Sequence, residues 1–285
     1  MRLCAAHGWQ EEEVELVPVL ASGDKVLDRP LAEIGGKALW TKELDAWLAE
    51  GRIDAAVHSM KDVETLRPES LVIAAILPRE DVRDVLIGAA SIDAIPQGAR
   101  IGTSAPRRAA QMLHLRPDCS IVSFRGNVAT RLEKLAAGEA DATPVAAAGL
   151  SRLGMQSVGV PLDPEDWLPA PSQGAIGIEC NLADERTRSI LAAIDDASSH
   201  ARVKAERALL EALGGNCHSS VAVICEDAPE GDLYMRAALF SEDGVERVDG
   251  EVVFPADDPD APKRLAADLL EYADPAIRRH FAGST

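Results

Sequence analysis

Short apolar runs that end in polar tips, alternating with helical stretches, recur along this chain and point it toward an α/β fold. The clearest case is Asp54-Ala-Ala-Val-His-Ser-Met-Lys-Asp62, where Ile53 to Val57 reads as a buried strand running into a tip that carries His58, Ser59, Lys61 and Asp62. Apolar runs of this length are typical of strands in parallel sheets. In open α/β sheets, ligands bind just beyond the carboxyl ends of such strands. A lysine beside a carboxylate at a strand end has the chemistry to bind an anion and move a proton. An isolated Lys-Asp pair is more commonly a surface ion pair, so the rest of the chain has to decide.

Ahead of that unit, Val14 to Leu20 reads as a strand and Ile34-Gly35-Gly36-Lys37 as a flexible loop able to bring backbone N–H groups and a lysine to an anion. Ala38 to Glu50 reads as a helix with Trp40, Leu44, Trp47 and Leu48 on one face and Gly51 as its stop. A strand at Leu71 to Leu77 follows, and Pro78-Arg79-Glu80-Asp81 reads as a crossover into a second lobe.

In that lobe, Arg100-Ile-Gly-Thr-Ser-Ala-Pro-Arg-Arg108 is the most informative piece. Ser104 is expected to cap a helix with Pro106 in its first turn and Ala109, Met112 and Leu113 on its buried face. Gly102-Thr103-Ser104 would then lie at a helix N-terminus, which attracts anions. Arg107 and Arg108 oppose the helix dipole there, which carboxylate binding explains better than a structural role. The pattern repeats: a strand from Ser120 to Phe124 leads to Arg125, the next helix carries Arg131, and Arg152 follows a strand from Asp141 to Ala148 that Pro144 weakens. Leu168 to Gln173 is a Pro-rich return linker into a strand from Gly174 to Cys180. Two crossings between two lobes suggest a hinged cleft. The remainder, with strands near Val221–Cys225, Leu233–Phe240 and Glu251–Phe254 and a helix over Pro262–Tyr272, reads as a small α+β domain. Its Leu213-Gly-Gly-Asn-Cys217 loop leaves a cysteine open to act as a nucleophile or attachment point; a buried structural thiol is the alternative.

Charge narrows the partners. The 285 residues carry a net charge of −18, which argues against nucleic acid. The window from Arg100 to Arg131 is nevertheless +5, leaving the rest at −23, and a basic island in an acidic chain suits small polyanions. Five cysteines without metal-type spacing, no apolar run of membrane-spanning length and no secretory leader imply a reduced cytoplasmic setting, no membrane and no metal site.

The motifs HSMKD, GTSAPRR, RGNVATRL, AAAGLSRLG, QGAIGIE and ERALLEALGGNC, in this order, resemble those of the porphobilinogen deaminase (hydroxymethylbilane synthase) family from about Val14 to the C-terminus. The resemblance implies two lobes similar to type 2 periplasmic binding proteins and a third, α+β domain. These would span 1–77 with 174–192, 82–169, and 197–285. It implies a transferase of tetrapyrrole biosynthesis that joins porphobilinogen on one covalent dipyrromethane per chain, releases ammonia and yields hydroxymethylbilane. By matching position, Cys217 would carry the dipyrromethane through a thioether, held by Ser59, Lys61, Thr103, Ser104, Arg107 and Arg108. Lys37, Arg125, Arg131 and Arg152 would bind substrate carboxylates. Asp62 would pass a proton to the leaving amine and stabilise the cationic intermediate. A monomer with no metal or nicotinamide is implied.

Several positions depart from the family pattern. The R-x-[ST]-R-x-S strand and helix expected at the amino end are missing, so the first lobe reads as truncated. Glu33, Pro106, Pro144, Asn216, Ser219 and Ser220 replace the usual residues. The competing reading is a catalytically impaired relative that only binds polycarboxylates between two lobes.

Overall fold

The computed structural model describes residues 2–19, 41–216 and 219–281. In chain order its helices are α1 (Arg2–His7), α2 (Lys42–Ala49), α3 (Pro106–Leu115), α4 (Val128–Ala136), α5 (Ala147–Arg152), α6 (Glu185–Ala192), α7 (Ala197–Ala212), α8 (Ala261–Tyr272) and α9 (Pro275–Arg278). Its strands are β1 (Ala55–Ser59), β2 (Leu71–Ile76), β3 (Asp84–Ile87), β4 (Arg100–Gly102), β5 (Ser120–Val122), β6 (Thr143–Ala146), β7 (Val160–Pro161), β8 (Ile176–Asn181), β9 (Val221–Asp227), β10 (Asp232–Phe240) and β11 (Arg247–Pro255). The fold class is α/β, as expected. Residues 14–19 form no strand. Pro18 has no N–H to give a ladder, and Leu16 stays 80% exposed, so this run has found no sheet to join. Lys37, Glu33 and Trp40 lie outside the described residues.

The chain divides into two compact units. The first is Met1–Arg79 with Ala175–Ala201, and the second is Glu80–Gly174 with Arg202–Thr285. In the first unit, β1, β8 and β2 form a sheet in the order β1-β8-β2, with both pairings antiparallel. The parallel arrangement expected for the first strand is thus corrected. Its neighbour is the strand after the return linker, which runs the opposite way. Nor is β1 buried on both faces, since Ala56 and His58 are buried while Val57 is 62% exposed. That alternation belongs to a one-faced antiparallel strand. Leu44 and Leu48 of α2 pack with Ala56 and Leu71, and Leu191 of α6 packs with Ala75, Ile178 and Cys180. Each such leucine stabilises its unit by about 1.5–3 kcal/mol when fully buried.

In the second unit, β3 lies between β6 and β7 in an antiparallel sheet, and β4 pairs with β5 in parallel. Leu86, Ile101, Met112, Ala142 and Trp167 fill the core between them. Pro144, expected to interrupt a central strand, sits in β6 at the end of its sheet, and the parallel bridge toward β4 is made at Ala142 instead. An edge tolerates the missing N–H. A second antiparallel sheet, β11-β10-β9, packs Ile224 and Phe240 against Ala110 of α3 and Leu168 of the linker. Glu206 of α7 is fully buried and accepts hydrogen bonds from the amides of Ser172 (2.6 Å) and Cys225 (2.9 Å), tying the linker to β9.

Candidate active site

Asp62 closes a single 3-10 turn, Met60–Asp62, directly after β1. Met60 (1% exposed) and Val63 (6%) are buried on either side, while Lys61 and Asp62 between them are half-buried. The turn therefore hangs from apolar anchors and displays its two charged residues. Ser59 ends β1 opposite Ile176.

Behind the turn lies a charge cluster that the sequence reading missed. Glu179 of β8 is 0% exposed, with its carboxylate gripped by Arg67 Nε (2.9 Å) and Nη2 (2.6 Å). The same guanidinium reaches Glu64 (2.9 Å) and Asp45. His58 Nε2 stands 3.2 Å from Glu179 Oε2. Burial by itself would raise the Glu179 carboxyl, but His58 and Arg67 outweigh it and hold the pKa at about 2 against an ordinary 4.5. Because the folded value is the lower one, Glu179 contributes stability above pH 4.5 that is lost as pH falls toward 2. The gap in melting temperature between wild type and Glu179→Gln is accordingly expected to be widest near neutral pH and to close on acidification. A gap that stays constant in acid would refute this account.

In the second unit, Ser104 does not cap α3. The N-cap is Ala105, and Ser104 Oγ donates to the Phe124 carbonyl at 2.8 Å. Thr103 Oγ1 accepts from the Ala105 amide at 3.2 Å. Pro106 occupies the first turn of α3, where a missing N–H costs nothing. The buried face of α3 also differs from expectation. Arg107, Arg108, Ala110, Gln111 and Met112 are buried, whereas Ala109 and Leu113 are only half-buried.

Both arginines converge on Asp84, the first residue of β3. Arg107 Nη2 (2.8 Å), Arg108 Nε (3.2 Å) and Nη2 (2.7 Å), Trp167 Nε1 (2.8 Å) and Gln173 Nε2 (2.9 Å) all donate to its carboxylate. Arg107 Nη1 also donates to the Leu168 carbonyl at 2.8 Å. Burial works to raise the Asp84 carboxyl, but the two guanidinium charges hold it well below the usual carboxylate range. One negative charge against two positive leaves a net positive charge in the interior at the start of α3.

Nearby, the ends of β4 and β5 bring Thr103 and Ser104 beside Phe124 and Arg125. The amide of Thr103 donates to the Val122 carbonyl at 2.9 Å. Phe124 (1% exposed) packs where a side chain on Gly102 would strike its ring at 2.5 Å. Arg125 is buried, and Arg131 Nε donates to the Gly126 carbonyl at 3.0 Å. Arg152 is exposed at the end of α5.

Cys217 lies outside the described residues. The described residues on either side, Asn216 and Ser219, bond to each other: the Asn216 amide donates to Ser219 Oγ, and the Ser219 amide donates to the Asn216 carbonyl, both at 3.0 Å. With Ser220, Glu242 and His280 they line a polar cavity of about 150 Å³. Cys4, Cys119, Cys180 and Cys225 are buried free thiols, and burial pushes those of Cys119 and Cys180 up. Among the described residues, no group of three or more histidine, cysteine or acidic side chains is placed to hold a metal.

Comparison with known proteins adds what geometry cannot. Residues 2–189 match the family model described as porphobilinogen deaminase, dipyromethane cofactor binding domain, and residues 200–271 match porphobilinogen deaminase, C-terminal domain. The chain is 55% identical to the porphobilinogen deaminase of Sphingopyxis alaskensis over 98% of its own length and 90% of that protein's. It is 49% identical to the porphobilinogen deaminase of Paracoccus denitrificans, covering 95% and 86% respectively. Likeness to solved structures is slight. An ancestral arginine-binding protein bound to arginine is 13% identical with a TM-score of 0.34, covering 68% of this chain and 76% of that one.

Proposed function

Because this chain belongs to the porphobilinogen deaminase family, we propose a division of labour in which Asp62 moves the proton, the arginines of the second unit hold carboxylates, and Cys217 carries the primer. The enzyme is a hydroxymethylbilane synthase, a transferase of tetrapyrrole biosynthesis. It joins porphobilinogen head to tail on a covalent dipyrromethane. Each joining forms one carbon–carbon bond and breaks one carbon–nitrogen bond, so ammonia leaves. Hydrolysis finally releases hydroxymethylbilane.

The dipyrromethane cofactor supplies the pyrrole carbon from which the product grows and carries two carboxylates on each ring. The donor set suits such a group. Arg107 and Arg108 retain one positive charge after Asp84 is counted, and Arg125 and Arg131 lie by the same strand ends as Thr103 and Ser104. Guanidinium forks bind carboxylates bidentately and so fix orientation as well as charge. Lys61 adds a cation next to Asp62, while Lys37 and Arg152 complete the proposed set by family position. Asp62 gives the departing amine its proton and offers negative charge to the carbon that amine leaves. Ser59 supports the strand end from which the turn springs.

The observation that carries this reading is the pair of family matches along the chain, with Asp62 displayed on a turn whose flanking residues are buried. A purely binding protein would leave Asp62 and the Cys217 loop without a task. We extend the proposal to three domains, the second unit containing the last two, and to a monomer in the reducing cytoplasm with no nucleic-acid or membrane partner; the net charge and the four buried thiols support this.

Intact-mass measurement of the denatured chain tests the tether. The mass is expected to exceed that of the sequence by one dipyrromethane and to return to the sequence mass in Cys217→Ser, with porphobilinogen consumption lost. An unmodified but active chain would overturn the assignment.

A further inference from the structure

We infer that Gly177 is a positioning residue for this reaction: its lack of a side chain makes the space in which Met60 sits, and Met60 fixes the turn that presents Asp62. The inference rests on the reading of Asp62 as the proton-transferring carboxylate.

Gly177 lies in the interior of β8, opposite His58 in the β1–β8 register. Glycine weakens a strand there, and its φ is not in the left-handed region, so backbone freedom does not call for it. Space does. A Cβ at Gly177 would stand 2.1 Å from Met60 Sδ, 3.0 Å from its Cγ and 3.1 Å from Ile76 Cδ1. Met60 is 1% exposed, so it has no open side to retreat into. Its backbone is held as well: the amide donates to the Ala175 carbonyl at 3.1 Å, and its carbonyl accepts from the Val63 amide at 3.4 Å. The Met60 backbone is therefore held where the turn begins, and its bond to Val63 closes the turn around Lys61 and Asp62. Any residue larger than glycine at 177 must displace the Met60 side chain, and because that side chain is buried where the turn begins, the displacement is passed to the packing that supports Lys61 and Asp62.

The test is a double-mutant cycle read in kcat, KM and cofactor loading, well below each variant's melting temperature. Gly177→Ala is expected to lower kcat about tenfold or more, because sub-ångström to 1 Å misplacement of a catalytic group is costly. KM and the dipyrromethane mass should stay near wild type. Met60→Ala should lower kcat in the wild-type background and raise it in the Gly177→Ala background, since shortening Met60 relieves the clash. Full kcat in Gly177→Ala, or loss of kcat only in proportion to lost folded protein, overturns the inference. Should Gly177→Ala fail to fold, Met60→Leu carries the test. This swap is mild for a core, yet it branches at the carbon facing Gly177, so kcat should drop severalfold at unchanged KM; unchanged kcat overturns the inference. Asp62→Asn is measured alongside. If that variant turns over normally, the reading of Asp62 has failed, whereas an inactive Asp62→Asn with an indifferent Gly177→Ala defeats the positioning role alone.

Discussion

Asp62→Asn is expected to cut porphobilinogen turnover by about 10²–10⁴-fold, the range for losing a positioned proton-transfer group. Asparagine keeps the size and one oxygen of the aspartate but neither its charge nor its acidic, transferable proton. The half-exposed site has room for the amide, so folding should be unaffected. Carboxylate recognition is assigned to other residues, and KM should accordingly change little while kcat falls, the pattern of an interaction made only in the transition state. Initial rates of ammonia release over a range of porphobilinogen concentrations give both constants. Turnover within tenfold of wild type would remove Asp62 from the chemistry.

Asp84→Asn is the largest expected blow to stability. The carboxylate is fully buried and receives five hydrogen bonds, three of them from two guanidiniums. Removing its charge leaves Arg107 and Arg108 with two positive charges in the interior and no counter-ion, a loss of about 3–5 kcal/mol. A drop of that size should be visible as a lowering of the second unit's thermal transition by roughly 10 °C. Replacing Asp84, Arg107 and Arg108 together by apolar residues should cost less than the single change, because no charge is then stranded. The triple variant should nonetheless lose dipyrromethane from its intact mass. If Asp84→Asn melts with wild type, the carboxylate does not hold the arginines in place.

Asp84 also shows where sequence reading succeeds and where it stops. The amphipathic helix α8 was legible from periodicity because it hides one face and wets the other, and β10 and β11 were legible as apolar runs bounded by turn residues. The Lys61–Asp62 tip was legible because charge at the end of an apolar run is conspicuous. Arg107 and Arg108 were noticed for their charge and their place in the first turn of α3, but their burial was not foreseen. Their positions on α3 gave no sign of burial, since the carboxylate that permits it lies 23 and 24 residues away. The signal was nevertheless present at the other end. Asp84 opens the apolar run Asp-Val-Leu-Ile, and Glu179 is set in Ile-Gly-Ile-Glu-Cys; an acid embedded in a buried strand needs a cationic partner somewhere. The direction of β1 was beyond reach, because periodicity reports which face is buried and says nothing of the neighbour's orientation. The missing strand at residues 14–19 follows the same logic, as apolar content alone does not supply a partner.

The burial of Cys4, Cys119, Cys180 and Cys225 bears on chemoselectivity. An enzyme whose substrate turns electrophilic on losing ammonia must keep that electrophile from its own sulfur atoms. A thiol reacts as its thiolate, and an apolar interior suppresses the thiolate. The aliphatic core therefore serves as a protecting group for these four cysteine sulfurs, by keeping the electrophile from reaching them and, at Cys119 and Cys180, by holding the thiol protonated.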